Sequence, residues 1–303
     1  IPHNGQLKLR PGRIDHYCMQ HDKEKLLMKR SMIIAAATFG AWMAISPVRA
    51  DAQAVDSWQL SDSWRFGASI YGYLPTIGVK TQLANGVTSD LSVPIDKTLN
   101  HLKMGFFGAA EAQKGRWGAF TDVLYLNVGA APSKTHDFNL GNGPLPTDVS
   151  VRTNFGLETN IWTLAGSYRA LADPKSTFDV FAGARLLDIK VRQSWALTGN
   201  IGQISIPLRS GDGNTSGTNW NAIVGVKGRF ALSDDRAWYV PYYLDVGTGD
   251  SKLTWQIQGG VGYAFNWGDV VATWRYLDFN NKSGKSIQDL NTNGPQVAFV
   301  WRW

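Results

Sequence analysis

The sequence predicts an all-β chain: a closed, antiparallel, up-and-down transmembrane β-barrel of about ten strands. Three observations lead there. From about residue 62 the hydrophobicity repeats every second residue, no run of eighteen apolar residues occurs, and aromatics make up 12% of the chain, with 13 Trp. Strict alternation is the period of a strand with two unlike faces. Helical spans would need about 20 consecutive apolar residues each, and a disordered chain would carry many charges and few aromatics. Here charged residues are only 18%, and Gly contributes 32 positions.

The alternation is explicit in three segments. Trp64, Phe66, Ala68 and Ile70 alternate with Arg65, Gly67, Ser69 and Tyr71. Trp220, Ala222, Val224, Val226 and Phe230 alternate with Asn221, Ile223, Gly225, Lys227 and Arg229. Trp255, Ile257, Val261, Tyr263, Phe265 and Trp267 alternate with Gln256, Gln258, Gly260, Gly262 and Asn266. The apolar face begins and ends on aromatics, the pattern of a wall facing lipid between two interfaces.

Turns come in two lengths that alternate along the chain. Lys114-Gly115-Arg116, Ala172-Asp173-Pro174-Lys175, Ser233-Asp234-Asp235-Arg236 and Gly268-Asp269 read as short turns. Residues 75–103, 131–152, 199–217 and 281–294 read as longer loops, with one short exception at Gly249-Asp250-Ser251. Strands laid between them cover 63–74, 104–113, 117–129, 154–169, 178–194, 219–231, 238–248, 253–267, 270–279 and 295–303. An even number puts both termini on one side. Asn85-Gly86 is a hairpin turn pair. A hairpin there would either extend the first loop or make twelve strands, and merging weak strands would give eight.

The N-terminal region is organised differently. Met28-Lys29-Arg30 opens a positive segment, Met32 to Ile45 is apolar, and Pro47 is followed by small residues up to Ala54. This is the layout of a secretory signal peptide over 28–54. Residues 1–27 hold the single Cys, Cys18, and read as an upstream extension; 55–303 is then the barrel. The net charge of +6 does not point to nucleic acid, because eight of the 30 basic and three of the 24 acidic residues fall within residues 1–50. The rest is close to neutral. A chain without Cys beyond the leader suits an oxidising compartment and offers no thiolate for metal or catalysis.

Parity directs charges inward. Arg65, Arg169, Arg185, Lys227, Arg229, Arg275 and Arg302 share the lumen face with Glu111, Asp122, Asp179 and Asp245. On a lipid face each would cost ~2–4 kcal/mol at mid-membrane. Two readings follow. Either salt bridges close the interior and the barrel is structural, or a narrow, weakly basic pore passes small anions, since charged rings set selectivity. Asp188 and Asp278 break the alternation set by Arg185 and Arg275, so a bulge shifts register there or both lie above the lipid. The sequence offers no cofactor motif and no enzymatic one: His101 and His136 fall in expected loops, Gly-x-Ser-x-Gly and His-Glu-x-x-His are absent, and Glu111 and Asp122 read as salt-bridge partners. Gly247-Thr248-Gly249-Asp250-Ser251-Lys252 lacks the spacing and helix of a phosphate loop.

The chain ends Gln296-Val297-Ala298-Phe299-Val300-Trp301-Arg302-Trp303. Phe299, Trp301 and Trp303 on one face resemble the terminal signal of Gram-negative outer-membrane proteins. Gly183-Ala184-Arg185-Leu186-Leu187-Asp188 and Trp274-Arg275-Tyr276-Leu277-Asp278 resemble the strands of opacity-type surface antigens. The resemblance implies an outer-membrane location, contact with lipid and lipopolysaccharide, handling by the barrel-assembly machinery, a monomer, and surface exposure without known chemistry.

Overall fold

The computed structural model describes residues 59–82, 88–139, 149–201, 204–205 and 209–303. The expected extension and signal peptide, and the Asn85-Gly86 turn, lie outside the described residues. The elements in chain order are β1 (Arg65–Tyr73), β2 (Thr76–Gln82), β3 (Thr88–Val93), helix α1 (Ile95–Asn100), β4 (Leu102–Lys114), β5 (Trp117–Asn139) and β6 (Val149–Asp173). Then come β7 (Ser176–Ile201), β8 (Ile204–Ser205), β9 (Arg209–Ala231), β10 (Trp238–Gly249), β11 (Ser251–Phe265), β12 (Gly268–Asn281) and β13 (Ile287–Arg302).

Ten of these close a ring: β1, β4, β5, β6, β7, β9, β10, β11, β12 and β13, each antiparallel to the next. The last strand returns to the first, from Gly67↔Arg302 to Tyr73↔Gln296. Phe66 and Trp303 exchange both backbone hydrogen bonds, at 2.8 and 3.1 Å. Closure removes the edges that an open sheet would present.

The β2–β3 hairpin does not add strands to the ring. β2 prolongs β1 along β13, from Thr76↔Asn293 to Thr81↔Ile287. β3 stands above β4 and pairs with the far end of β5, and α1 packs between β2 and β5. Thus the hairpin raises the wall, and the count stays at ten rather than eight or twelve.

Three of the short turns fall where the sequence puts them. Gly115 holds φ +55 in the first, a left-handed conformation suited to glycine. The fourth is displaced: it lies at Asn266-Trp267, because Gly268 already starts β12. Trp267 stacks on Phe265 at 5.5 Å and so stays with the aromatic belt at this end.

The larger correction concerns the four long loops, into which the strands continue. β7 is 26 residues long, more than twice the roughly ten that a strand needs to cross a bilayer. Pairing of β6 with β7 runs from Val149↔Gly199 to Asp173↔Ser176. What changes along these strands is which face is apolar. Nearer the short turns, Leu164 and Val180 face outward while Ser167, Arg169, Thr177 and Asp179 are buried inside. Nearer the loops, Phe155, Leu157, Ile161, Leu187, Ile189 and Val191 are buried inside, while Glu158, Lys190 and Arg192 form ion pairs on the outside. The two faces exchange chemistry within an unbroken register from Val149↔Gly199 to Arg169↔Asp179; the one shift in this ladder lies beyond it, between Arg169 and Leu171.

This exchange locates the lipid. Outward aromatics cluster at two levels: Trp117 with Tyr168, Phe230 with Tyr242 and Trp238 with Tyr263 at the turn end, and Trp162 with Trp220 and Trp255 with Tyr276 further up. From Trp220 to Phe230 is about 33 Å of strand, or ~25 Å along the axis at the usual tilt, the height of the apolar band of such barrels. Trp64 and Trp220 are exposed on the outside rather than enclosed between sheets. Asp188 and Asp278 project outward above the upper level in unbroken register, so they lie above the lipid and no bulge is needed. Burial and the nearby Asp289 push the Asp278 carboxyl up to about 6.

If the loop-end interior is a true core, Phe155→Ala destabilises the barrel by about 3–5 kcal/mol in urea unfolding of the refolded protein. Val224→Ala, on the outer face, costs about 1 kcal/mol or less.

Candidate functional site

The lumen is stacked in three layers. The layer nearest the short turns is polar and encloses a cavity of about 310 Å³. Arg65, Glu111, Arg169, Asp179, Lys227, Arg229 and Arg302 line it together with Tyr239 and Tyr243. Most charges here meet a partner on a neighbouring strand or, for Lys227 and Glu111, across the ring. Arg169 donates through Nε to Asp179 Oδ1 at 2.8 Å and through Nη2 to Oδ2 at 3.1 Å. Lys227 Nζ donates to Glu111 Oε2 at 2.7 Å. Arg302 pairs with Asp269, which also accepts from the Tyr239 hydroxyl.

The middle layer is drier. Arg185 and Asp245 form an ion pair whose side chains are both 0% exposed. The guanidinium also reaches Thr163 Oγ1 at 3.2 Å, Gln256 Oε1 at 3.3 Å and Thr254 Oγ1 at 3.5 Å. Arg275 donates to Asp122 Oδ1 at 3.0 Å, to the Tyr71 hydroxyl at 3.1 Å and to Gln256 Oε1 at 3.1 Å. Tyr71 in turn donates to Asp122 Oδ2 at 2.8 Å. Gln256 therefore joins two ion pairs into one network. Apart from Arg275 Nε, which has no partner among the described residues, the guanidinium contacts are met, and such partners are what allow charges to sit in a low-dielectric interior.

The layer nearest the loops is apolar. Tyr73, Ile77, Leu91, Leu124, Phe155 and Phe279 are each at most 2% exposed and belong to one packed cluster. Side chains from β1, β2, β3, β5, β6 and β12 meet there, so the wall raised by the first hairpin is filled from within.

The structure brings together the inward charges read from the sequence, and adds the groups that complete them: Tyr71, Thr163, Tyr239, Thr254, Gln256 and Asp269. These are neutral or aromatic residues, or lie beside a turn, and charge alone does not mark them. Their signal is parity, since Tyr71 shares the face of Arg65, and Gln256 lies opposite in chemistry to Trp255. Of the two histidines outside the first 27 residues, His101 ends α1 with Nδ1 at 3.0 Å from the Lys97 carbonyl. The His136 side chain lies outside the described residues. Among the described residues no group of three His, Cys, Asp or Glu is placed to hold a metal ion.

The buried pair gives a direct energetic test. Arg185→Met leaves Asp245 charged and uncompensated and costs about 3–5 kcal/mol of stability. Adding Asp245→Leu recovers most of that loss, because the double change removes both charges. Equilibrium unfolding of the two variants and the parent checks the order; a double variant no more stable than the single one contradicts it.

No family model matches the chain, and no curated protein matches it in sequence. Among solved structures it is similar to the outer membrane protease OmpT from Escherichia coli, at 10% identity over 80% of this chain and 97% of that one, with a TM-score of 0.49. It is similar to Ail, the attachment invasion locus protein of Yersinia pestis, at 8% identity over 80% and 99%, with a TM-score of 0.31. It is also similar to an anion-selective porin from Comamonas acidovorans, at 9% identity over 80% and 99%, with a TM-score of 0.23. These likenesses say nothing about activity.

Proposed function

We propose that the protein is an integral barrel of the bacterial outer membrane with a structural or surface-exposed role and a lumen closed to solute flow. The observation that supports this reading is the apolar layer at the loop end. An open channel needs a continuous polar path, and Leu124, Phe155, Leu187 and Phe279, at most 1% exposed, interrupt it. The polar layers below then act as the barrel's packed interior, as eight strands leave room mainly for side chains and ten stand near that size. The short turns and both ends of the ring face the periplasm in this reading. The leader at 28–54 would direct export, and the outward row of Phe299, Trp301 and Trp303 would be presented to the assembly machinery as the ring closes on β1. The barrel is taken as a monomer in contact with lipid and lipopolysaccharide, and the strands around Arg185 and Arg275 keep their likeness to opacity-type antigens.

A small pore that prefers anions is the second reading, supported by the cavity that Arg65, Lys227 and Arg229 line at the turn end. An enzymatic role has no comparable support: Glu111, Asp122 and Asp179, the carboxylates that line the cavity, are engaged by Lys227, Arg275 and Arg169.

Planar-bilayer recording of the refolded protein separates the first two readings. The closed barrel gives no steps. Stepwise, anion-selective currents whose selectivity changes in Arg229→Ala would replace it with the pore.

A further inference from the structure

Among the described residues the ring is interrupted between β1 and β4. The ladder between β1 and β4 runs from Arg65↔Gln113 to Ile70↔Gly108 and ends there. Both strands continue. β1 goes on pairing with β13 to Tyr73↔Gln296, and β4 goes on pairing with β5 to Leu102↔Val128. Continuing the register would set Tyr73 opposite Gly105, but above Ile70 and Gly108 the two strands part. The split is capped by α1, which packs between β2 and β5.

Its surroundings are chemically specific. Ile70 and Phe106 on the two rims are each 54% exposed, and Leu74 and Met104 above them are also exposed. The floor is closed by rings: Phe107 stacks on Tyr71 at 5.6 Å and meets Tyr73 edge-on at 6.3 Å. Its height is set by its neighbours. The Leu74 N–H donates to the Pro295 carbonyl, Pro295 lies beside Trp274, and Phe106 lies beside Tyr125. The split therefore opens on the lipid-facing band at the upper aromatic level.

An open sheet edge does not persist against hydrocarbon, where every unmet backbone group costs several kcal/mol. Ladder bonds alternate between neighbours along a strand. Since Phe66 and Leu74 bond to β13, Tyr73 directs its N–H and C=O toward the split. An occupant must offer an apolar chain to the rims and an acceptor to the edge. It must also be narrow, because the ring floor blocks passage.

We propose that the split is a lateral lipid site: the acyl chain of a bilayer lipid lies between Ile70 and Phe106, and its ester carbonyl accepts from the backbone at Tyr73 and Gly105. The two demands match the upper end of an esterified chain, not a charged headgroup. The surrounding surface already faces bilayer lipid, the source of the chain. The inference rests on the barrel being embedded in lipid, as read above.

The test uses the full-length refolded protein in phosphatidylcholine vesicles containing phosphatidylethanolamine with a photoreactive diazirine near the ester end of one chain. After illumination, cross-linked peptides are mapped by mass spectrometry. Label is expected severalfold enriched at Gly72–Leu74 and Met104–Phe107 over the equally exposed outer surface at Val224, Val246 and Ile257. Gly72→Phe should abolish the enrichment, while Gly259→Phe, on the outer face of β11, should leave it. Even labelling around the upper band overturns the site while leaving the embedded barrel intact. Labelling nowhere on the band overturns the embedding itself.

Discussion

A backbone surrounded by hydrocarbon has no water to bond to, so its amide and carbonyl groups must be satisfied within the protein. Every large feature of this chain follows from that constraint. It selects a ring rather than an open sheet, and it requires the last strand to find the first. The bonds between Phe66 and Trp303 are where that requirement is met. It also makes the parting of β1 from β4 chemically significant, since an interruption that water would tolerate must be filled when lipid surrounds it.

The second organising influence is the solvent beside each stretch of wall. The strands keep one geometry from end to end, but the apolar face is outside where lipid is and inside where water is. Leu186 and Asp188 are two residues apart on the same outward face of β7. Leu187, between them, is fully buried inside. The interior therefore changes from ion pairs at the turn end to hydrocarbon side chains at the loop end. The buried guanidinium groups of Arg185 and Arg275 are held by the hydrogen bonds they donate to Thr163, Gln256 and Tyr71. The apolar layer at the loop end is a by-product of this inversion: a wall raised into water buries its apolar face inward.

The same physics explains what the sequence disclosed. The strands in the lipid band were legible because aromatics such as Trp64, Trp220 and Trp255 stand at the ends of apolar alternation. The inward charges were legible because a guanidinium such as that of Arg229 has nowhere else to go in that band. The upper wall was harder to read. Its outward residues, including Glu158, Lys190 and Arg192, are those of an ordinary polar loop, and its apolar residues fall on the parity that is polar below. Asp188 and Asp278 carried the clue, since the first polar residue on the lipid parity marks where lipid ends. The pairing partners of the ion pairs were not legible, because Lys227 and Glu111 are 116 residues apart and meet only across the ring. The split was not legible either: Ile70, Leu74, Met104 and Phe106 read as unremarkable lipid-facing positions, and only the ladder shows that they flank a gap.

The exchange of faces is most directly measured on β7. A nitroxide carried in turn at each position from Phe178 to Arg192 reports whether oxygen, which concentrates in lipid, or a water-soluble nickel complex reaches it. Oxygen should reach Phe178, Val180, Ala182, Ala184 and Leu186, and the nickel complex should reach Asp188, Lys190 and Arg192, with the odd-numbered positions shielded from both. Oxygen access continuing unchanged through Arg192, or nickel access at Val180, would contradict the account.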